Sequence, residues 1–370
     1  MKKMNKSISE AINLLRFPLA CMIVLKHYYT PDISASVYGG DVYNFVGEFV
    51  THAFTAVPVP LFFMISGYLY FNKCTLYDGF NKDVYVKKTK SRIKSLLIPY
   101  LLWNLLVFLL FTVMQSLTSG SDVMQKEGYK ALVDYELIDY LKNFWALDST
   151  GMPVDGPLWF IRDLFVMSLF TPLVYWGIKY LRWAFVLVLI LVGYLNLGID
   201  IPFIDYKYSV GIVEIYFTMG ASFMLLAPET PVNLKDYKVL SLVTILAIVS
   251  MVGLLYTVLE NNVEKETPFL WCYRIFGSFL FFAIAELLAD KGWRIATWLS
   301  TASFFIFAIH KPIQVIIRRF FFAIFHPTNE IVLTSLIFII PTVVILLSLL
   351  AFYIIKRWMP WLKCLNGYRL

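Results

Sequence analysis

The feature that most constrains this chain of 370 residues is a series of long apolar segments that follow one another from end to end. A helix that crosses a bilayer needs about 20 mostly apolar residues, so the segments predict an all-α, polytopic membrane protein with about ten transmembrane helices. They lie roughly at 8–29, 45–71, 96–117, 158–178, 183–198, 209–227, 239–259, 269–288, 297–317 and 332–355. Composition agrees, since 59% of the residues are hydrophobic and 15% are charged, against about 25% charged in soluble domains.

The lysines and arginines indicate how these helices are oriented. With the N-terminus in the cytoplasm, most of them fall in cytoplasmic segments, as the positive-inside rule requires. This distribution predicts that both termini are cytoplasmic. It makes the basic segment 72–95 a cytoplasmic loop and the long segment 118–157 an extracytoplasmic one. The net charge of +7 then reflects the lysines and arginines of the cytoplasmic segments, and we expect no nucleic-acid partner. We predict a single domain over residues 1–370.

No pair of cysteines has the spacing of metal ligands or of a redox motif. The cysteines are Cys21, Cys74, Cys272 and Cys364. We therefore expect no metal site and no disulfide framework. The N-terminus has the basic start and apolar run of a secretory signal, but Asn13, Arg16 and Pro18 interrupt the run, and no small-residue cleavage site follows. We expect a retained first helix.

Two ionisable residues of the first helix stand out, because charged groups at membrane depth are costly and often functional. Arg16 and His27 are about three helical turns apart, so both side chains lie on one face, separated by roughly 16 Å along the axis. Histidine takes and returns a proton near neutral pH. The planar guanidinium of arginine binds phosphate and keeps its charge. This face is suited to a long molecule with an anionic cytoplasmic end and a reactive end near His27.

The sequence resembles a known family, the acyltransferase-3 family of integral membrane acyltransferases. Its arginine-to-histidine motif is similar to Arg16–His27. Four further stretches resemble family segments in the same order: "PLFFMISGYLYF" (60–71), "KSRIKSLLIPYLLW" (90–103), "PLWFIRDLFV" (157–166) and "SFFIFAIHKPI" (303–313). The family often has a second arginine three residues after the one that Arg92 matches, and here that position is Ser95.

The resemblance implies acyl transfer from a cytoplasmic acyl-CoA, most often acetyl-CoA, to a hydroxyl of a cell-surface or lipid-linked glycan. His27 would be the general base. The donor-binding residues would be Arg16, Arg92, Lys94, Ser66 and Gly67. Acyl-CoA is then a co-substrate, no cofactor is tightly bound, and the oligomeric state is left open. The resemblance also implies a multi-pass protein of the bacterial inner membrane.

Four residues are candidates for binding the acceptor or lining a pore: Trp159, Asp155, His310 and Glu48. Aromatic platforms beside carboxylates suit sugars, and a carboxylate such as Asp32 or Glu48 would orient His27 as in a catalytic triad. Each assignment has a structural alternative. Trp159 also suits an interfacial aromatic belt, Ser66 and Gly67 suit close helix packing, and the basic run up to Lys94 suits lipid headgroups.

A different class of protein fits the same pattern. A transporter or flippase for a glycan or small solute would also need many helices with buried charges. The feature that discriminates is the Arg16–His27 face, since transport does not require a base in line with a cluster of cations. The sequence therefore favours the acyltransferase.

Overall fold

The computed structural model describes residues 6–28, 40–117, 135–146, 151–195, 197–201, 206–209, 211–226, 234–260 and 263–368. Nearly all of them are helical. The helices are α1 (Lys6–Lys26), α2 (Asp41–Tyr70), α3 (Lys82–Arg92, continued by Ile93–Leu97 and Ile98–Leu117), α4 (Leu137–Lys142), α5 (Trp159–Leu169), α6 (Thr171–Leu181), α7 (Trp183–Tyr194), α8 (Ile212–Leu226), α9 (Tyr237–Leu259), α10 (Val263–Asp290), α11 (Thr297–Phe325) and α12 (Glu330–Trp358). The 3₁₀ helix Gly156–Leu158 leads into α5, and a second one, Pro360–Asn366, follows α12.

The described part of the chain contains seven helices that are long and apolar enough to cross a membrane, namely α1, α2, α3, α9, α10, α11 and α12. A bent pair, Gly156–Leu169 with Thr171–Leu181, turns by 63° and makes an eighth if it is one span. The predicted spans 183–198 and 209–227 are the shorter helices α7 and α8. The predicted polytopic helical class is thus found, whereas the count of ten is not established.

One element departs from the all-α prediction. Strands β1 (Gly198–Ile201) and β2 (Tyr206–Ser209) pair antiparallel, with Gly198 opposite Ser209. The hairpin begins at the last residue of the predicted span 183–198 and ends at the first residue of 209–227. The helices found there, α7 and α8, are both shorter than these spans. β-branched and aromatic residues in this stretch favour extended backbone.

Helices α2 and α8 pack with their backbones in close contact at two glycines. A Cβ on Gly67 would fall on the carbonyl oxygen of Phe217, and a Cβ on Gly220 would fall on the carbonyl oxygen of Met64. Small residues allow this approach, and dispersion contacts then stabilise the pair in the absence of a hydrophobic driving force between helices. The large buried side chains around this contact include Phe63, Tyr216 and Phe217.

Two π-helical segments interrupt the long helices, and both bear on the site. The segment Phe49–Ala53 lies in α2, where the Thr51 carbonyl accepts hydrogen bonds from Lys26 Nζ at 2.9 Å and from the Thr55 hydroxyl. The segment Ile93–Leu97 lies in α3, directly after Arg92. Single turns of π-helix are frequent at functional sites, because they disturb the regular ladder and re-aim side chains.

The segment after α12 packs against the bundle. Trp103 Nε1 donates to the Leu365 carbonyl at 2.8 Å, and the Asn366 amide donates to the Thr301 carbonyl at 3.2 Å. Gly367, with φ +61°, lies against the backbone of Ser95. These contacts place the segment beside the cavities described next, one of which Gly367 lines.

Candidate active site

A cavity of about 310 Å³ lies among α1, α2, α3, α5 and α11. Its polar lining comes from Arg16, Ser66, Arg92, Ser300, Thr301 and Ser303. The rest is apolar and aromatic, including Phe62, Phe160, Phe304 and Phe307. This inner chamber, as we call it, brings together three of the predicted donor-binding residues, Arg16, Ser66 and Arg92, from three helices.

A second, polar cavity of about 390 Å³ adjoins the inner chamber. It is lined by Leu69, Tyr70, Lys88, Ser91, Arg92, Ser95 and Gly367. Because Leu69 and Arg92 line both cavities, we call this one the vestibule of the inner chamber. The cations of Lys88 and Arg92 lie over the ring of Tyr70, at 4.8 and 5.8 Å from its centroid. Such a surface attracts anions.

The vestibule contains residues that the sequence analysis did not single out. One face of α3 carries four of the vestibule residues at positions i, i+3, i+4 and i+7, namely Lys88, Ser91, Arg92 and Ser95. The ammonium of Lys88 also bonds the Tyr70 carbonyl and lies 3.7 Å from the Cys74 sulfur. This periodicity was readable in the sequence, and it would have favoured Lys88 over Lys94, whose side chain the structure places on the exposed surface.

The aromatic end of the inner chamber leads to the two histidines. Phe160 and Phe307 line the chamber, with ring centroids 5.5 Å apart. Phe307 is 6.0 Å from the ring of His310, which is 5.3 Å from the ring of His27. Arg16 therefore lines the inner chamber, and His27 lies beyond its aromatic end. His27 itself follows the last residue of α1 and remains partly exposed.

Three side chains of α11 bind the carbonyl end of α1. Gln314 Nε2 donates to the Val24 carbonyl at 3.2 Å, Lys311 Nζ to the His27 carbonyl at 3.4 Å, and Arg318 Nη1 to the Tyr28 carbonyl at 3.4 Å. The last carbonyls of a helix lack intrahelical partners and carry the negative end of its dipole. Cations and amides spaced along α11 satisfy them, and this fixes the backbone of His27.

The other predicted site residues occupy different surroundings. Glu48 pairs with His52 one turn further along α2. Gly67 faces the Phe217 backbone rather than either chamber. The Trp159 ring packs on Phe63 at 6.2 Å, within the aromatic core. Asp32, a candidate for orienting His27, lies outside the described residues, as do 118–134 and 147–150 of the predicted extracytoplasmic loop.

Arg162 anchors the described end of that loop. Its guanidinium pairs with Asp163 at 2.6 Å and donates to the carbonyls of Trp145 and Gly151. The loop thereby holds Asp155 in place, whose backbone N–H donates to the side chain of Asn104 at 3.1 Å.

Asp155 is 2% exposed, and its Oδ2 atom has no hydrogen-bond partner. Burial raises the pKa of this carboxyl well above its usual range, while the positive charge of Lys311 acts in the opposite direction. The raised pKa means that folded Asp155 keeps its proton at pH values where the unfolded chain has lost it. The unfolded chain ionises Asp155 at about pH 4, and the folded protein does so only at the raised pKa. The free energy of unfolding therefore falls as the pH rises between these two values.

We expect this loss to be absent in Asp155→Asn, which is isosteric and does not titrate. The measurement is the thermal midpoint of wild type and variant in detergent between about pH 5 and pH 8. The thermal midpoint of the variant should increase relative to that of wild type as the pH rises. Other titrating groups are common to both proteins and cancel in the difference. If the difference between the two thermal midpoints does not change with pH, Asp155 is ionised throughout this pH range.

Comparison with known proteins gives the family. The model of the acyltransferase domain that defines the acyltransferase-3 family matches residues 9–354. The chain is also similar to the succinoglycan biosynthesis protein ExoH of Rhizobium meliloti (strain 1021), with 28% identity over 171 residues. That match covers 46% of this chain and 43% of the relative's length. No solved structure matches the chain significantly. Because the family model covers nearly the whole sequence, this protein belongs to the acyltransferase-3 family.

Proposed function

We propose that the protein transfers an acyl group, most simply acetyl, from cytoplasmic acyl-CoA to a hydroxyl of a cell-surface or lipid-linked glycan. The observation that carries the proposal is the pair of connected cavities. The polar vestibule with Lys88 and Arg92 suits the phosphates of CoA, because charge-assisted hydrogen bonds to phosphate are short and strong. The narrower inner chamber, with Arg16, Ser66 and aromatic walls, suits the pantetheine arm.

The proposed chemistry begins at His27. Its imidazole takes the proton of the acceptor hydroxyl while the hydroxyl oxygen attacks the thioester carbon. The carbon–sulfur bond breaks, the acyl group stays on the oxygen, and the CoA thiolate takes the proton from the imidazolium. No proton is gained or lost overall. The partial exposure of His27 and its fixed backbone are compatible with this role.

The setting of the reaction follows from topology and from the relative. If the N-terminus is cytoplasmic, as the lysine and arginine distribution predicts, the vestibule opens to the compartment that supplies acyl-CoA. The likeness to a succinoglycan biosynthesis protein supports a polysaccharide acceptor. The proposed location is the bacterial inner membrane. The alternative, a transporter or flippase, receives no support from the family, whose members are acyltransferases.

The first test is turnover of radiolabelled acetyl-CoA by protein purified in detergent. We expect binding of the donor and its slow hydrolysis without acceptor, and label transfer when a polysaccharide acceptor is added. The proposal fails if the protein neither binds nor consumes any acyl-CoA. It is replaced by the transporter alternative if His27→Ala then changes solute uptake by proteoliposomes.

Arg92→Ala tests the vestibule. Hydrogen bonds to charged groups contribute about 1.5–3 kcal/mol each, so loss of one phosphate contact should weaken acetyl-CoA binding by roughly 10–100-fold. The matched control is Lys90→Ala, which removes an exposed positive charge from the same helix. Equilibrium binding of labelled acetyl-CoA measures both. Equal weakening in the two variants would indicate general attraction to a basic surface instead of a site at Arg92.

A further inference from the structure

The side chain of His310 has one nitrogen bonded and one without a partner. His310 is 0% exposed, and its Nδ1 lies 2.6 Å from the Phe307 carbonyl oxygen. A carbonyl only accepts hydrogen bonds, so Nδ1 carries the proton. In the neutral ring Nε2 then presents a lone pair, and this atom is buried with no hydrogen-bond partner.

A buried acceptor without a donor costs about 1–3 kcal/mol, so its persistence points to a bond that forms during function. The nearest ring is that of His27, at a centroid separation of 5.3 Å and an interplanar angle of 34°. Each ring nitrogen lies roughly 1 Å from its centroid, so facing nitrogens at this separation come to about 3 Å, an ordinary hydrogen-bond length. The N–H of His27 can therefore reach Nε2 of His310 once the rings turn so that these two nitrogens face each other.

The charged neighbours of His27 cannot take this role. Lys26 bonds the Thr51 carbonyl, and Lys311 bonds the carbonyl of His27 itself. An ammonium group has three donors and no acceptor. Among the side chains that the structure places beside the His27 ring, His310 therefore supplies the acceptor. Since His310 is fully buried and His27 is partly exposed, His310 acts through His27 rather than on a substrate.

We propose that His310 is a positioning residue, whose Nε2 accepts the N–H of His27 and thereby holds the other nitrogen of His27 unprotonated and directed at the acceptor hydroxyl. This inference rests on the proposed function of His27 as the base. It assigns to a neutral histidine the orienting part that a carboxylate plays in a catalytic triad. A neutral acceptor is suited to this depth, because an ionised carboxylate there is costly to bury. The imidazolium formed during transfer keeps the same hydrogen bond.

The test compares His310→Gln with His310→Asn. The two amides have the same chemistry, but only the glutamine is long enough to place an oxygen near the position of Nε2, whereas asparagine reaches the position of Nδ1. We expect His310→Asn to lower kcat by about 10²–10³-fold, within the range of a general base that is no longer oriented. His310→Gln should recover at least about tenfold of this loss. KM for acetyl-CoA should stay within about twofold of wild type in both, because neither change touches the donor chambers.

The double variant His27→Ala/His310→Asn isolates the coupling. If His310 acts only through His27, the double variant is no slower than His27→Ala alone, because groups that act as a unit are not additive. Donor binding and the thermal midpoint of each variant verify that it folds. The inference is overturned if His310→Asn keeps the wild-type kcat, if glutamine and asparagine are equally slow, or if KM rises together with the fall in kcat. Failure of the proposed function looks different, since the wild-type protein would then consume no acyl-CoA. Failure of His27 as the base alone would leave His27→Ala with full turnover.

Discussion

Replacing His27 by alanine is expected to lower the turnover of acyl-CoA by about 10²–10⁴-fold, the usual contribution of a positioned general base. Donor affinity should be unchanged, because His27 lies beyond the aromatic end of the inner chamber while the cations Arg16 and Arg92 line the chamber itself. The effect should therefore appear in kcat and leave the dissociation constant of acetyl-CoA intact. Single-turnover transfer of label and equilibrium donor binding measure the two quantities separately.

The matched control is His52→Ala. His52 is also a histidine near an end of the bundle, but it pairs with Glu48 and does not contact the His27–His310 pair in the described structure. It should retain the turnover of wild type. If His52→Ala is as slow as His27→Ala, loss of a histidine disturbs the fold instead of the chemistry. If His27→Ala remains fully active, a base other than His27 takes the proton.

The second large effect is on stability and concerns Gly220→Ala. The added Cβ would fall on the carbonyl oxygen of Met64, where neither helix backbone has room to move without separating α2 from α8. Overpacking typically costs about 1–3 kcal/mol and more where the backbone must shift, so we expect a cost of about 3 kcal/mol or above. This loss of stability is measured as a lower yield of folded protein and a lower thermal midpoint in detergent.

Gly156→Ala is the matched control for this glycine. A Cβ at Gly156 meets no atom within 4 Å, so the substitution should leave the midpoint close to that of wild type. If both variants are equally stable, the bundle can separate α2 and α8 without penalty, and the close contact at Gly67 and Gly220 is not needed to hold them. If only Gly220→Ala loses stability, the packing role of these glycines is established.

The sequence predicted the parts of this protein that depend on local spacing. Apolar runs of sufficient length identify membrane helices, because the thickness of the bilayer sets the length of a helix that crosses it. The separation of Arg16 and His27 places them on one helical face, because helical periodicity is a property of a single segment. The same reasoning applied to α3 would have found Lys88 and Ser91 beside Arg92, which share its face.

Other features depend on which helices become neighbours. No spacing indicates that Gly67 meets the backbone of Phe217, that α11 binds the carbonyl end of α1, or that Gly367, after α12, lines the vestibule. The hairpin at 198–209 was likewise not predicted, because nearly all of it falls between the predicted spans 183–198 and 209–227, in residues that were assigned to no element.

By itself the sequence determined that the chain is a helical membrane protein, that Arg16 and His27 share a face, and that a basic segment precedes the third membrane helix. All of 72–95 was predicted to be a loop, but the structure makes residues from Lys82 onward the first turns of α3. Only the tertiary structure decided that Arg16, Ser66 and Arg92 enclose one chamber, and that His310 lies beside His27 with an unpaired nitrogen. The physical reason is that backbone periodicity acts over a few residues along one helix. Contacts between residues nearly 300 positions apart, such as that of Lys311 with His27, form only when the whole bundle has packed.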